Sequence, residues 1–338
     1  MKTVLITGAT GLVGSHIALQ MLEKGWQVKC LVRTINKKAD TKRIFGHYGS
    51  ESLSLFEKIT WVQGDILDIH SVIEALADVE YVVHSAAFVS FIPNEFPEMY
   101  KINVEGTANI VNACLDKKIT KLCHISSVAA IGRSMDEKDY SEETVWKDSP
   151  TNTNYAKSKY QAELEVWRGI AEGLNAVIVN PSTIIGPGIW EQSSATLITK
   201  VWEGQEYYTQ GINGFVDVRD VANVSIQLLE SPISGERFIA SSENIGFHEL
   251  FNQIADRLNK PRPSKEATPA KAKIVVAVGW VLYKLFNKKP FITAESSRTA
   301  MFKSYFSNEK VKKTLGYKFI PIAEAINHTT KCFLKEKG

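Results

Sequence analysis

The first half of the chain alternates short apolar runs with longer helical stretches. The apolar runs predict strands at 4–7, 28–32, 59–62, 81–86, 121–126 and 176–180. The stretches between them predict helices near 12–23, 69–78, 97–117 and 154–172. Strands that alternate with helices form parallel sheets covered on both faces, and their crossovers are right-handed. We therefore expect an α/β protein with a doubly wound parallel sheet, the Rossmann arrangement.

After Pro181 the pattern changes to helices separated by short extended pieces. Helices are predicted near 191–204, 219–231, 246–258 and 294–302, and strands near 215–218 and 236–240 are expected to return to the main sheet or the cleft. The segment 259–264 contains two prolines and indicates a loop. We expect a Rossmann domain of residues 1–180 plus about 213–240. The rest, about 181–212 and 241–338, is expected to form a smaller, mostly helical substrate-binding domain.

The composition is that of an ordinary globular protein. The 338 residues are 44% hydrophobic and 23% charged, and the net charge is only +3, so charge gives no case for a nucleic acid partner. Cys30, Cys114, Cys123 and Cys332 form no CxxC pair, which argues against disulfides and a structural zinc site. His84 has no second ligand at metal-binding spacing, so we expect no metal. His124 lies inside a predicted strand and is expected to be a satisfied core residue.

Two apolar segments bear on the location of the protein. The N-terminal run leads straight into glycines without a cleavage site, so it does not read as a signal peptide. The run 274–283 is too short to cross a bilayer, which takes about 20 residues, and Lys271, Lys273 and Lys284 bracket it. We expect a buried or cleft-lining helix here, with a helix on a membrane surface as the alternative. The expectation is a cytoplasmic protein without stable membrane insertion.

The first predicted strand ends in a glycine-rich turn, TGATGLVG, at positions 7–14. In a doubly wound sheet this turn faces the ligand cleft. Gly8 permits a sharp turn, Gly11 lets the backbone approach a pyrophosphate, and Gly14 lets the helix pack closely on the strand. The helix that begins near Leu12 directs its free N–H groups at the anion. An ordinary turn is the alternative. The residues expected to bind a cofactor here are Gly8, Thr10, Gly11, Leu12, Val13 and Gly14.

The spacing of these glycines resembles the TGxxGxxG signature of the short-chain dehydrogenase/reductase superfamily. Its position at the start of the chain resembles the extended branch, which contains the NAD-dependent epimerases and dehydratases. Within that branch the chain looks most similar to dihydroflavonol-4-reductase-like reductases. Asn180 departs from the pattern, because the family has arginine there. The other segments that carry the resemblance are GDI at 64–66, HSAA at 84–87, NVEGTAN at 103–109, SSVAAIG at 126–132, YAKSK at 155–159, PSTIIGPG at 181–188, FVDVRDVA at 215–222 and LGY at 315–317.

Several of these segments are expected to hold a nicotinamide dinucleotide. The resemblance implies that Asp65 and Ile66 meet the adenine. Backbone groups after the sixth strand are expected to meet the nicotinamide. Arg33 follows the second strand, where NAD-using proteins place an acidic residue, so we expect NADP, with NAD as the alternative. The lysines near Arg33 are expected to lie in a solvated loop. The remaining cofactor-binding residues expected from these segments are Ser85, Ala86, Ala87, Tyr155, Lys159, Pro181, Ser182 and Thr183.

Tyr155 and Lys159 stand at positions i and i+4, which places them on one face of a helix. A tyrosine with a pKa near 10 is a poor base at neutral pH, and a neighbouring ammonium group lowers that pKa. The spacing predicts an acid–base pair for hydride transfer, and a chance surface pair is the alternative. The resemblance implies that Ser127, rather than Ser126, holds the substrate oxygen. It also implies that Asn103 completes a catalytic tetrad through a water beside Lys159.

Three functions remain open on the sequence alone. Arg33 and the aromatic cap favour an NADP-dependent oxidoreductase acting on a carbonyl or alcohol of a small, rather apolar substrate. The alternatives are a nucleotide-sugar epimerase or dehydratase with tightly bound NAD, and a non-catalytic cofactor sensor or scaffold. The long helices near 97–117 and 154–172 resemble those that pair in dimers of this family, so a homodimer is expected. Candidates for a diphosphate site are Lys200, Arg219, Arg237, Arg262 and Arg298. The aromatic residues considered are Phe88, Phe91, Phe96, Trp190, Trp202, Tyr207, Tyr208, Trp280, Tyr283 and Phe286.

Overall fold

A seven-stranded parallel sheet lies at the centre of the structure, a computed structural model that describes residues 2–134, 137–286 and 293–338. The strands in chain order are β1 (Thr3–Thr7), β2 (Gln27–Val32), β3 (Thr60–Gln63), β4 (Tyr81–His84), β5 (Lys121–Ile125), β6 (Asp139–Tyr140), β7 (Ala176–Pro181), β8 (Thr183–Ile185), β9 (Tyr207–Tyr208), β10 (Ile212–Asp217), β11 (Glu236–Ala240), β12 (Glu243–Gly246), β13 (Lys265–Glu266) and β14 (Tyr305–Phe306). The main sheet has the order β11-β7-β5-β4-β1-β2-β3. The chain reverses direction across the sheet between β1 and β4, which is where such folds bind ligands.

Helices cover both faces of this sheet, as predicted. The helices are α1 (Leu12–Glu23), α2 (Lys38–Gly46), α3 (Ser50–Phe56), α4 (Ile69–Ala75), α5 (Phe96–Tyr100), α6 (Gly106–Asp116), α7 (Asn154–Ala171), α8 (Thr196–Trp202), α9 (Val218–Glu230), α10 (Phe247–Leu258), α11 (Pro269–Phe286), α12 (Ala294–Thr299), α13 (Glu309–Leu315) and α14 (Ile322–Lys337). One core packs α1 and α9 against β1 through Val4 and Ile6. The opposite core packs α6 and α7 against the same strand through Leu5. The doubly wound α/β fold is therefore confirmed.

The C-terminal part has its own core. Trp190, Phe215, Leu250 and Phe333 are buried together among α8, α10 and α14. Of the two strands predicted to return to the main sheet or the cleft, β11 joins the main sheet beside β7. The other, β10, pairs with β8 and β12 in a separate three-stranded sheet. The domain boundaries given above stay a prediction.

Three local expectations differ from the structure. The helix predicted over 97–117 is interrupted by a π-helical turn, Lys101–Glu105, which separates α5 from α6. The expected loop of lysines after Arg33 contains the helix α2, so those lysines lie on a helix surface as well as in a loop. The helices α13 and α14 were not expected. The apolar residues of α14 pack in the C-terminal core, whereas Val311 and Leu315 of α13 pack with the core that contains α1 and α9.

The apolar helix α11 is the main correction. We expected a buried or cleft-lining helix, yet Ile274 is 66% exposed, Val278 54% and Trp280 54%. Its first turns do contribute Ile274 and Val275 to the rim of the cleft described below. No helix among the described residues combines the length and apolarity needed to span a bilayer. The Phe286 side chain lies outside the part of the chain that the structure describes.

Candidate active site

The three glycines of the turn between β1 and α1 differ in the space that surrounds them. Gly8 has a left-handed backbone, with φ of 71°, and a Cβ there would lie 2.6 Å from the Ala86 backbone nitrogen. A Cβ on Gly14 would lie 2.4 Å from the Gly8 carbonyl oxygen. A Cβ on Gly11 would meet only that oxygen, at 3.3 Å. Internal packing therefore accounts for Gly8 and Gly14, whereas Gly11 borders open space.

That open space is a cleft of about 1790 Å³ at the carboxyl ends of the strands. The helix α1 begins at its edge, with Gly11 as N-cap in extended backbone and no acidic residue in the first turn. Such a helix start presents free N–H groups and a partial positive charge. The predicted residues that line the cleft are Thr10, Gly11, Leu12, Val13, Ala87, Ser127, Tyr155, Pro181, Ser182 and Thr183.

Other predicted cofactor residues stand behind this lining and fix the turns that form it. The Ser85 hydroxyl donates to the Thr7 carbonyl at 2.7 Å, and the Ala86 N–H donates to the Thr7 hydroxyl at 3.3 Å. The Asp65 carboxylate accepts the Leu67 N–H at 3.0 Å, which shapes the turn after β3. Ile66 is buried against α6, where a Cβ on Gly106 would lie 2.6 Å from its side chain.

Arg33 differs from the nearby Lys37 and Lys42 in its partners. It is exposed one residue beyond β2, and no acidic group of the described residues forms an ion pair with it. Lys37 instead pairs with Asp40 at 3.4 Å, and Lys42 pairs with Glu57 at 2.9 Å. The expectation that the lysines belong to a solvated surface agrees with these exposed pairs. Arg33 keeps its guanidinium available for an anion.

The cleft brings Ser127 and Tyr155 together. Ser127 follows β5, and its hydroxyl accepts the Ala129 N–H at 3.1 Å at the start of a short 3₁₀ turn. Tyr155 lies in the first turn of α7, which Thr153 caps by accepting the Ala156 N–H at 3.0 Å. Both side chains line the cleft, and the Ser127 hydroxyl acts to lower the pKa of the Tyr155 phenol. A substrate oxygen placed beside this pair would meet both a proton donor and a second hydroxyl group.

Lys159 lies one turn further along α7 and is buried. Its ammonium donates to the Ile125 carbonyl oxygen at 3.0 Å. Burial lowers the Lys159 pKa to about 8, and the nearby Glu163 carboxylate opposes that shift. Burial raises the Tyr155 pKa, although the Ser127 hydroxyl works in the opposite direction. The expected lowering of the Tyr155 pKa by Lys159 is therefore not found, and burial sets the direction of the shift.

Asn103 lies in the π-helical turn Lys101–Glu105 and is buried. Its carbonyl oxygen Oδ1 accepts the Phe88 N–H at 2.7 Å, and its Nδ2 donates to the Phe88 carbonyl at 2.9 Å and to the Ser158 hydroxyl at 3.0 Å. These bonds fix the cleft-lining loop that begins at Phe88. The side chain is thus engaged with that loop, and a water relay to Lys159 stays a prediction. Short π-helical turns inside helices often occur at functional sites.

Sequence reasoning missed a buried carboxylate close to the predicted catalytic residues. Glu163 is 2% exposed and lies one turn beyond Lys159. Its carboxylate accepts the Ser126 hydroxyl at 2.7 Å, the Asn180 amide at 2.8 Å and the Arg237 guanidinium at 3.2 Å. Asn180, which departs from the family pattern, therefore shares this carboxylate with an arginine from β11. The i, i+4, i+8 spacing from Tyr155 was the available signal.

Two histidines line up beside Lys159 in neighbouring strands. His84 is hydrogen-bonded through both ring nitrogens, to Thr7 at 2.7 Å and to Thr107 at 3.0 Å. Burial and the Lys159 charge lower its pKa to about 3. His124 was expected to be a satisfied core residue, yet neither of its ring nitrogens has a hydrogen-bond partner among the described residues. Its buried position in β5 was predicted correctly, and its hydrogen bonding was not.

The strand end Pro181-Ser182-Thr183 forms the wall opposite the glycine turn. The Ser182 hydroxyl is buried and has no partner among the described residues. The Thr183 hydroxyl accepts the Asn213 amide at 2.8 Å. An unpartnered buried hydroxyl is costly unless a ligand or water meets it. Together with the open side of Gly11, this hydroxyl fits a bound polar group such as a nicotinamide dinucleotide.

The NAD dependent epimerase/dehydratase family matches residues 4–243, and the chain belongs to this family. It is 29% identical to cinnamoyl-CoA reductase 1 of Petunia hybrida, over 100% of this chain and 93% of that protein. It is also 29% identical to "Putative dihydroflavonol 4-reductase" of a Synechocystis strain, over 95% of this chain and 91% of that protein. The crystal structure of gox2253 has a TM-score of 0.79 at 29% identity, with 99% of both chains covered. The family predicted from the sequence is confirmed, and the chain is an enzyme of the extended short-chain type.

Proposed function

We propose that this enzyme reduces a carbonyl group of a small, rather apolar substrate, or oxidises the corresponding alcohol, with NADP as the hydride carrier. The observation that carries the proposal is that Ser127 and Tyr155 line the same cleft, with the buried Lys159 one turn further along α7. A non-catalytic sensor would not need such an arrangement. Names of relatives that include two reductases support the same reaction class.

In the proposed reaction a bound NADPH supplies the hydride that adds to the carbonyl carbon. Tyr155 donates its hydroxyl proton to the carbonyl oxygen as negative charge develops there. Ser127 donates a hydrogen bond to the same oxygen and stabilises the alkoxide-like charge. Lys159 is the nearby cation that stabilises the phenolate left on Tyr155. In the oxidative direction the same groups act in reverse, and Tyr155 accepts the alcohol proton.

The residues that would hold the cofactor are those already expected from the sequence. The turn from Thr10 to Val13 would bind the pyrophosphate with backbone N–H groups. Arg33 would pair with the 2′-phosphate that distinguishes NADP from NAD. The free hydroxyl of Ser182 would bind the nicotinamide end. NAD is the alternative cofactor, and the effect of Arg33→Asp on the ratio of NADP to NAD affinity distinguishes the two.

The substrate end of the cleft supports an apolar molecule over a sugar nucleotide. Phe88, Phe91 and Tyr207 contribute to the lining, whereas Trp190 and Trp202 pack in the C-terminal core. Of the cations considered for a diphosphate site, only Lys200 is among the lining residues in the described part of the chain. The others bind protein groups: Arg219 pairs with Asp217, Arg237 with Glu163, Arg262 with Asp256, and Arg298 donates to the Pro150 carbonyl.

The test is NADPH oxidation, followed by absorbance, across aldehydes, ketones, acyl thioesters and nucleotide sugars. We expect turnover with an apolar carbonyl substrate, and Tyr155→Phe should lose at least 100-fold in kcat while keeping its NADPH affinity. Tyr160→Phe is the control, because Tyr160 stacks on Trp146 at 4.2 Å and contributes no hydroxyl to the cleft. Equal activity of Tyr155→Phe and wild type would refute the assignment. A tightly bound NAD that copurifies, with turnover only on nucleotide sugars, would establish the epimerase or dehydratase alternative.

The homodimer and the cytoplasmic location expected from the sequence stay predictions. Sedimentation of the purified protein tests the first. Variation of the exposed Leu164 on α7, which is 39% exposed, tests whether that helix contributes to the pairing. We expect Leu164→Glu to shift a dimer toward monomer without loss of fold.

A further inference from the structure

The helix α11 exposes apolar side chains to a degree that ordinary surfaces do not. Ile274 is 66% exposed, Val275 48% and Val278 54%, and these three form a continuous stripe because they occupy positions i, i+1 and i+4. We call them the apolar stripe. Contiguous exposed apolar surface on a folded protein marks a contact with something apolar.

The opposite side of α11 is what attaches the helix to the protein. Ala272, Val276 and Gly279 occupy positions i, i+4 and i+7 and are partly buried. Tyr283 continues this side of the helix and is also partly buried. The exposed side chains of the apolar stripe lie on the other side. Burial against the described residues therefore does not account for these three apolar side chains.

The charged residues of the segment that carries the apolar stripe have a single sign. The segment 267–294 contains five lysines and no aspartate or glutamate. Lys271 and Lys273 precede the apolar stripe directly and are exposed. An apolar face bordered by lysines is typical of helices that lie in the interface of a bilayer with anionic headgroups. We propose that α11 docks on the surface of an anionic lipid bilayer, with the apolar stripe inserted among the acyl chains near the headgroups.

A second copy of this chain is a poorer occupant of the same face. Two copies of α11 related by a twofold axis would place the lysine-bearing ends of one helix beside the lysine-bearing ends of the other, and no acidic residue of 267–294 would compensate the repulsion. A bilayer with anionic lipids supplies both the apolar phase and the opposite charge. The helix is also long enough to lie flat along it, about 27 Å at 1.5 Å per residue.

The position of α11 connects this surface with the cleft. Lys271, Ala272, Ile274 and Val275 belong to the cleft lining, so one end of the helix forms part of the cleft mouth. A protein docked through the apolar stripe would hold that mouth against the bilayer, where apolar substrates accumulate. The docking itself does not depend on the proposed hydride chemistry, because binding to lipid can be measured without cofactor or substrate.

The test is cosedimentation of the full-length protein with vesicles of phosphatidylcholine containing phosphatidylglycerol, and with vesicles of phosphatidylcholine alone. We expect binding to the anionic vesicles that weakens as salt is added. The double variant Ile274→Glu/Val278→Glu should bind at least tenfold more weakly. Val145→Glu is the matched control, because Val145 is 75% exposed in a loop that contributes nothing to α11. This control should bind like wild type.

A second double variant tests the proposal even if the first one does not fold. Lys271→Glu/Lys273→Glu leaves the apolar stripe intact and reverses the charge beside it, so binding to anionic vesicles should fall at least fivefold. Unfolding midpoints equal to wild type verify that the variants fold. The proposal is overturned if wild type stays in the supernatant, if both vesicle compositions bind equally, or if the double variants bind like wild type. It is equally overturned if Ile274→Glu/Val278→Glu instead converts a dimer in buffer to monomer.

Discussion

Substitutions at Gly11 and Gly14 of the glycine turn distinguish a role in packing from a role in cofactor binding. We compare Gly14→Ala with Gly11→Ala. A Cβ on Gly14 would sit 2.4 Å from the Gly8 oxygen and 2.7 Å from the Ser85 hydroxyl oxygen. A Cβ on Gly11 would sit 3.3 Å from the Gly8 oxygen and would otherwise face the cleft. The two substitutions add the same methyl group at two points of one helix start, and only the point at Gly14 is tightly enclosed.

The distances set the size of each effect. At Gly14 the methyl group must retreat about 1 Å to reach ordinary contact distance, and backbone on the strand side resists that movement. Overpacking of this kind costs about 1–3 kcal/mol, and we expect the upper half of that range. At Gly11 a shift of a few tenths of an ångström suffices, and the extended backbone there suits alanine. Because alanine also restricts the unfolded chain, the net change should stay within about 1 kcal/mol.

The assays are chemical denaturation without cofactor and titration of NADPH by fluorescence. Cofactor must be absent from the first assay, since binding to the native state adds to the measured stability. We expect Gly14→Ala to lose about 2–3 kcal/mol of unfolding free energy. We expect Gly11→Ala to keep its stability and to bind NADPH at least tenfold more weakly, which corresponds to about 1.4 kcal/mol.

Either of two results would refute the reasoning. Wild-type NADPH affinity in Gly11→Ala would mean that no phosphate approaches this backbone, so the turn would be an ordinary strand-to-helix connection. Wild-type stability in Gly14→Ala would mean that the close contact with Gly8 is not a constraint on the fold. Gly8→Ala serves as a positive control for strain, because its backbone φ of 71° is unfavourable for alanine.

Three further predictions concern charged groups. Arg33→Asp should shift the ratio of NADP to NAD affinity at least tenfold toward NAD, whereas Lys38→Asp nearby should not. Equal ratios in both variants would show that Arg33 does not determine the choice of cofactor. Glu163→Gln should lower the pKa of Lys159, because the Glu163 carboxylate raises that pKa. The alkaline limb of the pH–rate profile should therefore move to lower pH. Glu165→Gln is the control, since Glu165 lies at the surface and pairs with Arg168. Burial raises the pKa of Asp220 to about 6 from 3.8, so this group stabilises the fold most at low pH and its contribution disappears as pH rises through 6. Asp220→Asn should therefore flatten the decline in unfolding free energy between about pH 4 and 6, and an unchanged slope would contradict this assignment.

The strands and most of the first-half helices were predictable because their sequence pattern is set by burial on both faces. All residues of β1, β5 and β7 are buried, and a parallel strand in that position reads as a continuous apolar run. The helix α14 was predictable in principle, since Ile322, Ile326 and Phe333 recur at helical spacing. The π-helical turn has no comparable local signal, because it depends on how α5 and α6 pack around it.

The exposure of α11 marks a different limit of sequence reasoning. Apolar residues are most often buried, which is why a buried or cleft-lining helix was expected. Periodicity specifies which side chains share a face, but it does not specify what covers that face. For α1 the cover is another part of the same chain, α9. The described residues do not bury the apolar stripe of α11, so only another molecule bound to this helix could bury it.

The ionisation of the site likewise depends on contacts that are distant in sequence. Spacing alone placed Lys159 beside Tyr155 and suggested an acidic phenol. In the folded chain, burial raises the pKa of Tyr155 and lowers the pKa of Lys159 to about 8. At neutral pH this keeps the phenol protonated and leaves Lys159 largely charged, which is the state that donates a proton to a carbonyl oxygen. Proton abstraction from an alcohol would require the opposite state of Tyr155. In the proposed reduction Tyr155 would therefore begin in the protonated form that the step needs, and that form owes its stability to burial by residues distant in sequence.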